Sequence, residues 1–251
     1  MKKEKLMLIA GCSHAAGSEI DGMEDSEYNR HNCFGSLLAS KLDYTPVNLA
    51  IAGNTNTGIA RSILKWFEAN YDPKKMQVFV LAAWTDSCRL EVPVGREVYL
   101  PGSSHVNWLD VTAKDFYRLT MGWKGDAHTP GEVEMTSRLQ KFIVENENYM
   151  ALNSINYILQ LQYFLNSKKV NYVMCNTMPV YEKLNKHLGF YMSLIDATKY
   201  YGLHHPEESF YTKYKDLGYT NPKAKYWHHG EEPHQLFSHD LLTFIKDNKC
   251  L

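Results

Sequence analysis

From Met76 to Trp84 the chain reads Met-Gln-Val-Phe-Val-Leu-Ala-Ala-Trp, nine residues with a single polar interruption at Gln77. A strand with one wet face alternates polar and apolar side chains, so an unbroken apolar run marks a strand covered on both faces. That is the condition of a central strand in a parallel sheet, and it requires crossover helices on either side. The preceding residues supply them. Leu6 to Ala10 is a second apolar run, broken at Gly11. Asn32 to Leu42 places Phe34, Leu37, Leu38 and Leu42 at helical spacing, and Pro46 to Ala52 reads as another strand, closed by Gly53-Asn54-Thr55-Asn56-Thr57-Gly58. Thr57 to Asn70 is then a helix with Ile59, Ile63, Leu64 and Phe67 inward. This alternation predicts an α/β fold: a three-layer α/β/α sandwich around a doubly wound, mostly parallel sheet of flavodoxin-like type.

Between the first strand and the first long helix, residues 18 to 31 are polar, acidic and without period, which predicts a surface loop. From about 89 to 134 the pattern breaks into short strand-like pieces, Val92-Pro93-Val94 and Glu97 to Gly102 among them, and reads as an irregular insertion. A long helix, with a break, is expected from about Thr136 to Asn166, followed by a strand at Val170 to Cys175. Residues 180 to 227 form a second irregular stretch with one helix near 181 to 200, and an amphipathic helix runs from about Pro233 to Lys246. No repeat, low-complexity segment or linker divides the 251 residues, so a single domain over 1–251 is expected, its core filled from a hydrophobic fraction of 44%.

A formal net charge of -1 gives no general attraction to nucleic acid or to an anionic membrane, and no apolar run reaches the roughly 18 residues of a membrane span, so neither partner is expected. The five cysteines are odd in number and form no C-x-x-C pair, which points to free thiols in a reducing compartment. With no signal peptide in view, a cytoplasmic location is the expectation.

In a parallel sheet the carboxyl ends of the strands share one edge, where open α/β sheets place their chemistry. Three of these ends carry polar residues: Ser13 after the first, Gly53 and Asn54 after the second, Thr85 and Asp86 after the third. Acyl transfer needs a nucleophile, a base and donors for the oxyanion. Ser13 is the candidate nucleophile, the alternative being a serine that merely caps a turn. The base is expected to be a histidine. The richest of the histidine clusters is Trp227-His228-His229-Gly230-Glu231-Glu232-Pro233-His234, in the loop before the last helix, from which a histidine could reach the sheet edge. Glu231, Glu232 or Asp240 could fold back as its acid. His14, Asn56, Asp86, Arg89 and His229 are candidates to contact substrate, and Asn54, Asn56 or Thr85 to donate to the oxyanion. Arg89 and Glu91, two apart in an extended stretch, face the same side, as an ion pair or with Arg89 free to hold an anionic group. A metal site from His228, His234 and Asp240 lacks the short spacing on one helix face that zinc favours, so no metal and no cofactor are expected.

Gly11-Cys12-Ser13-His14-Ala15-Ala16-Gly17 resembles the first block, G-D-S-x-x-x-G, of the SGNH/GDSL hydrolases, with Cys12 in place of the Asp. Asn48 to Asn54 resembles the second block, whose glycine, here Gly53, serves the oxyanion hole. Ala83-Trp84-Thr85-Asp86 stands where the family has G-x-N-D, with Thr85 at the oxyanion-hole Asn. The family's D-x-x-H-P block aligns His228 with the catalytic base, or His229 if the register slips by one, and Lys225 with the Asp, and the spacing from His228 to His234 matches a second histidine that opens the final helix. Trp84-Thr85 followed by Arg89 and Glu91 is similar to a divergent branch frequent among bacteriophage proteins, which would place the chain in a host cytoplasm if it is phage-encoded. The resemblance implies a serine esterase acting through an acyl-serine on a small-molecule or glycan ester, with Ser13 and His228 as the catalytic pair and with Ser13, Gly53, Asn54 and Thr85 around the oxyanion. The competing reading is a catalytically reduced binding module of the same fold for a glycan or protein partner.

Overall fold

The computed structural model describes residues 3–93, 116–119, 137–138, 141–142, 145–178 and 186–251. Five strands make the central sheet: β1 (Glu4–Ala10), β2 (Thr45–Asn48), β3 (Met76–Trp84), β6 (Asn171–Asn176) and β7 (Tyr200–Tyr201), in the order β2-β1-β3-β6-β7. Every neighbouring pair is parallel. A separate antiparallel pair, β4 (Leu90–Pro93) and β5 (Phe116–Leu119), lies at the margin of the first insertion. The expected strand piece at Glu97 to Gly102 lies outside the described residues, as do residues 181–185 of the helix expected near 181 to 200.

The side-chain period of two in a strand sends alternate residues to opposite faces, and both faces here are apolar. Leu8, Val80, Ala82 and Trp84 pack on one side against α4 (Asn56–Asn70) and α5 (Glu147–Ser167), through Ile59, Ile63, Ile155 and Ile158. Met7, Ile9, Phe79 and Leu81 pack on the other against α3 (Phe34–Lys41) and α8 (Glu231–Asp247), through Phe34, Leu38, Phe237 and Leu241. All sixteen of these side chains are fully buried. The three-layer sandwich follows directly, and the apolar run of β3 is central as its composition requires. A fully buried side chain of this size contributes about 1.5–3 kcal/mol relative to exposure.

The remaining helices are short: α1 (Ser13–Ala16), α2 (Glu27–Asn32), α6 (Lys186–Met192) and α7 (Phe210–Asp216). Three expectations need correction. The helix expected over Asn32 to Leu42 is α3 and starts two residues later, because Asn32 ends α2 and the chain is extended at Cys33, at φ -69 and ψ 154. The stretch 18–31 is not a plain surface loop: Ser18, Glu19, Ile20 and Asn29 are buried, and α2 begins inside it with Ser26 capping through Asn29 N–H. The edge strand β7 falls inside the second irregular stretch, where two tyrosines give too short a run to signal a strand. No helix among the described residues is long and apolar enough to cross a membrane.

Candidate active site

The chain leaves β1 for β2 on one side of the sheet and later reaches β3 on the other, so the strand order reverses between β1 and β3. Such a switch point opens a crevice at the carboxyl ends of the two strands. Ser13 emerges there from β1 and Thr85 from β3. The turn that carries Ser13 is tightly packed. A Cβ on Gly11 would lie 2.4 Å from Ala15 Cβ and 3.0 Å from the Ala83 carbonyl oxygen, so only glycine lets the turn sit this close to β3. Ser13 is 9% exposed, and its hydroxyl and N–H make no hydrogen bond among the described residues. The buried Cys12 side chain meets Thr177, with Sγ 3.2 Å from Oγ1.

Four histidines gather at this turn, His14 from α1, His228 and His229 from the loop before α8, and His234 from the first turn of α8, and their surroundings separate them. His234 Nδ1 accepts from Phe34 N–H at 3.1 Å; burial, reinforced by His229 and His228, lowers its pKa to about 3, so it is a neutral structural group. His229 donates from Nε2 to the Tyr211 carbonyl at 3.0 Å, and burial likewise lowers its pKa. His14 packs edge-on against His228 with ring centroids 4.9 Å apart. Burial, then the nearby His228, His229 and Arg89, push its pKa well below the ordinary value, and its Nδ1 is buried without a partner among the described residues. His228 alone faces a carboxylate: its Nδ1 lies 2.6 Å from Glu19 Oε2. With Nδ1–H donated there, the lone pair is on Nε2.

Glu19 is the residue that sequence reasoning missed. Its side chain is 3% exposed, and it lies six residues after Ser13, on the loop that α1 feeds through Gly17 at φ 81. Burial raises its pKa, but the bonds from His228 and from the Lys225 and Tyr226 N–H groups outweigh burial and hold it below the ordinary value. The acids expected to fold back do not reach the histidines. Glu231 accepts from Tyr28 and Gln235, Glu232 from Tyr219, and Asp240 from Tyr214 and Lys213.

Of the other expected site residues, Asn56 is structural. Its Oδ1 accepts from Thr85 N–H, and its amide donates to the Thr85 carbonyl and to Ser154 Oγ, so no donor is left for substrate. Asn54 donates to the Gly11 carbonyl and accepts from Thr55 N–H, which fixes the second strand end against the first. Gly53 N–H is without a partner among the described residues. Thr85 is fully buried, its hydroxyl also without a partner there. Asp86 accepts from Cys88 N–H, and Arg89 donates to the Asn54 carbonyl. Glu91 pairs with Arg61 of α4, so the ion pair expected between Arg89 and Glu91 is replaced by one across elements. Among the described residues no group of three or more His, Cys, Asp or Glu is arranged to hold a metal ion.

No protein-family profile matches the sequence, and no curated protein does. Solved structures resemble this chain at low identity. A carbohydrate esterase family 2 enzyme with its carbohydrate-binding domain, from Corynascus thermopiles (Myceliophthora fergusii), superposes with a TM-score of 0.51 at 11% identity, over 100% of this chain and 68% of that one. A psychrotrophic esterase from Pseudoalteromonas sp. matches at TM-score 0.43 and 12% identity, over 97% and 98% of the two chains. An acetyl xylan esterase from Butyrivibrio proteoclasticus matches at 0.43 and 10%, over 99% and 65%.

Proposed function

We propose that this chain is a single-domain serine esterase of SGNH type that removes a small O-acyl group, such as acetyl, from a carbohydrate or other small polar carrier. The observation that carries the reading is a convergence. A strand-end serine opens at the switch point of a parallel sheet, and His14, the residue after it, packs on His228 of the loop before the last helix, which supports Ser13 and His228 as neighbours in one site. That histidine has its Nδ1 satisfied and its Nε2 available as base. The limited exposure of Ser13 suits a small acyl group, and half-buried Asp86 and Arg89 nearby suit a polar carrier.

The chemistry follows from the roles these groups can fill. His228 Nε2 takes the proton of Ser13 Oγ as the oxygen bonds to the acyl carbon. The carbonyl oxygen becomes an oxyanion, held by the N–H groups of Ser13 and Gly53, which have no partner among the described residues. The tetrahedral intermediate collapses, the carrier alcohol leaves with the proton from His228, and Ser13 is acylated. Water, deprotonated by His228, then attacks the ester, releasing the carboxylic acid and returning the proton to Ser13. No cofactor takes part.

The test is steady-state hydrolysis of p-nitrophenyl acetate. Ser13→Ala and His228→Ala are expected to lower kcat by about 10³-fold or more, the scale on which a nucleophile and its base act together. Equal turnover by wild type and Ser13→Ala would remove the reading and leave a binding module in its place.

A further inference from the structure

We propose that Glu19 is the acid that positions His228 for catalysis, so that the third member of the set comes from the loop after the serine and not from the residue three before the histidine. The inference rests on the serine-esterase reading above. Lys225 occupies the position of the family Asp, and a lysine cannot accept from an imidazole N–H. Its backbone instead joins the site. Glu19 Oε1 accepts from Lys225 N–H at 2.9 Å and Oε2 from Tyr226 N–H at 3.1 Å, while Oε2 also receives His228 Nδ1–H at 2.6 Å. One carboxylate thus folds the loop that carries the base and orients the base itself.

The backbone of Glu19 is unusual in a way that a surface acid would not need. Its φ of 64 is left-handed, a conformation disfavoured for residues with a Cβ. Three hydrogen bonds hold it: Glu19 N–H donates to the Met23 carbonyl at 2.8 Å, and the Glu19 carbonyl accepts from Gly22 N–H at 3.0 Å and from Asn221 Nδ2 at 2.8 Å, while Gly17 lets the chain turn at φ 81 just before it. Local strain that the surroundings over-determine is a mark of functional positions. Here its product is a buried carboxylate aimed at one ring nitrogen. Kept ionised by its three donors, it selects the tautomer with the lone pair on Nε2 and stabilises the imidazolium that forms when Ser13 is deprotonated. Glu19 touches no reacting atom and is a positioning residue.

Glu19→Gln keeps the shape and the acceptor for the backbone N–H groups but presents an amide to His228, which favours the wrong tautomer. Its kcat on p-nitrophenyl acetate is expected to fall by about 10²- to 10⁴-fold with KM changed less than about threefold. Glu19→Asp, which retains the charge, is expected to recover part of the loss. In ¹⁵N-labelled wild type at a pH where His228 is neutral, its proton resides on Nδ1; in Glu19→Gln it shifts to Nε2. A wild type with the Nε2–H tautomer overturns the inference, and this measurement decides the matter if Glu19→Gln does not fold. Glu19→Gln within threefold of wild-type kcat, with Ser13→Ala inactive, overturns the role of Glu19 alone. Wild type no better than Ser13→Ala overturns the esterase reading, and the role of Glu19 with it.

Discussion

Asn56 illustrates how an expected contact residue can belong to the scaffold. Its amide closes the gap between the first turn of α4 and the end of β3 by bonding both backbone groups of Thr85 and the hydroxyl of Ser154. All of these atoms are buried, so truncation leaves donors and acceptors that water cannot reach. Asn56→Ala should lower stability by about 2–4 kcal/mol, read from the urea midpoint, since each orphaned buried polar group costs roughly 1–3 kcal/mol. A loss below about 0.5 kcal/mol would mean that the clasp is not formed in solution. At this scale the sequence was partly legible. Ser13 and His228 follow rules of position, one after a buried strand and the other before a terminal helix. Glu19 follows none. Its carboxylate reaches His228 only because a left-handed residue redirects the chain, and no spacing signals that; among the several acids of this stretch, nothing but its place between Gly17 and Gly22 sets Glu19 apart.

Among the elements, those with a strong period were the readable ones. The expected run Met76 to Trp84 coincides with β3, and the expected helix at 57 to 70 differs from α4 by one residue, because Thr55 caps it by accepting from Gly58 N–H at 3.0 Å. The final helix starts two residues earlier than its apolar pattern, at Glu231, where two acids complement the first-turn N–H groups. Elements set by tertiary contact were not readable. The edge strand β7 is two residues long and exists because Tyr200 and Tyr201 pair with Met174 and Cys175 of β6. The break at Cys33 between α2 and α3 arises where Ser36 Oγ and Cys33 Sγ both donate to the Arg30 carbonyl. The site inherits its precision from the readable elements and its acid from an unreadable loop.

For the whole molecule, the parallel order β2-β1-β3-β6-β7 fixes where chemistry can occur before any side chain is considered. The buried histidines next to that edge also tie global stability to pH. His234, lowered to about 3 from 6.5, stays neutral when folded while the unfolded chain takes up a proton below 6.5. Stability is therefore fully present above 6.5 and declines as the pH falls toward the folded value, by about 1.4 kcal/mol per unit, or about 2 kcal/mol at pH 5. His14 is shifted the same way and adds to the loss. Glu19 acts lower in the range: its carboxyl is held below 4.5, so its contribution is present above that value and is lost as the pH falls through the depressed one. Urea unfolding at pH 7 and pH 5 should show the decline, and equal stability at the two would place the histidines in water rather than in the core.

The most direct measurement of the proposed chemistry is covalent. A fluorophosphonate reacts with a serine only where a base and an oxyanion site activate it, so intact mass followed by peptide mapping reports on nucleophile, base and donors together. One adduct per chain is expected, on the peptide that carries Ser13, with none in Ser13→Ala and a rate reduced by at least about 10²-fold in His228→Ala. An unmodified wild type, or an adduct on any other residue, would contradict the assignment of Ser13 as the nucleophile.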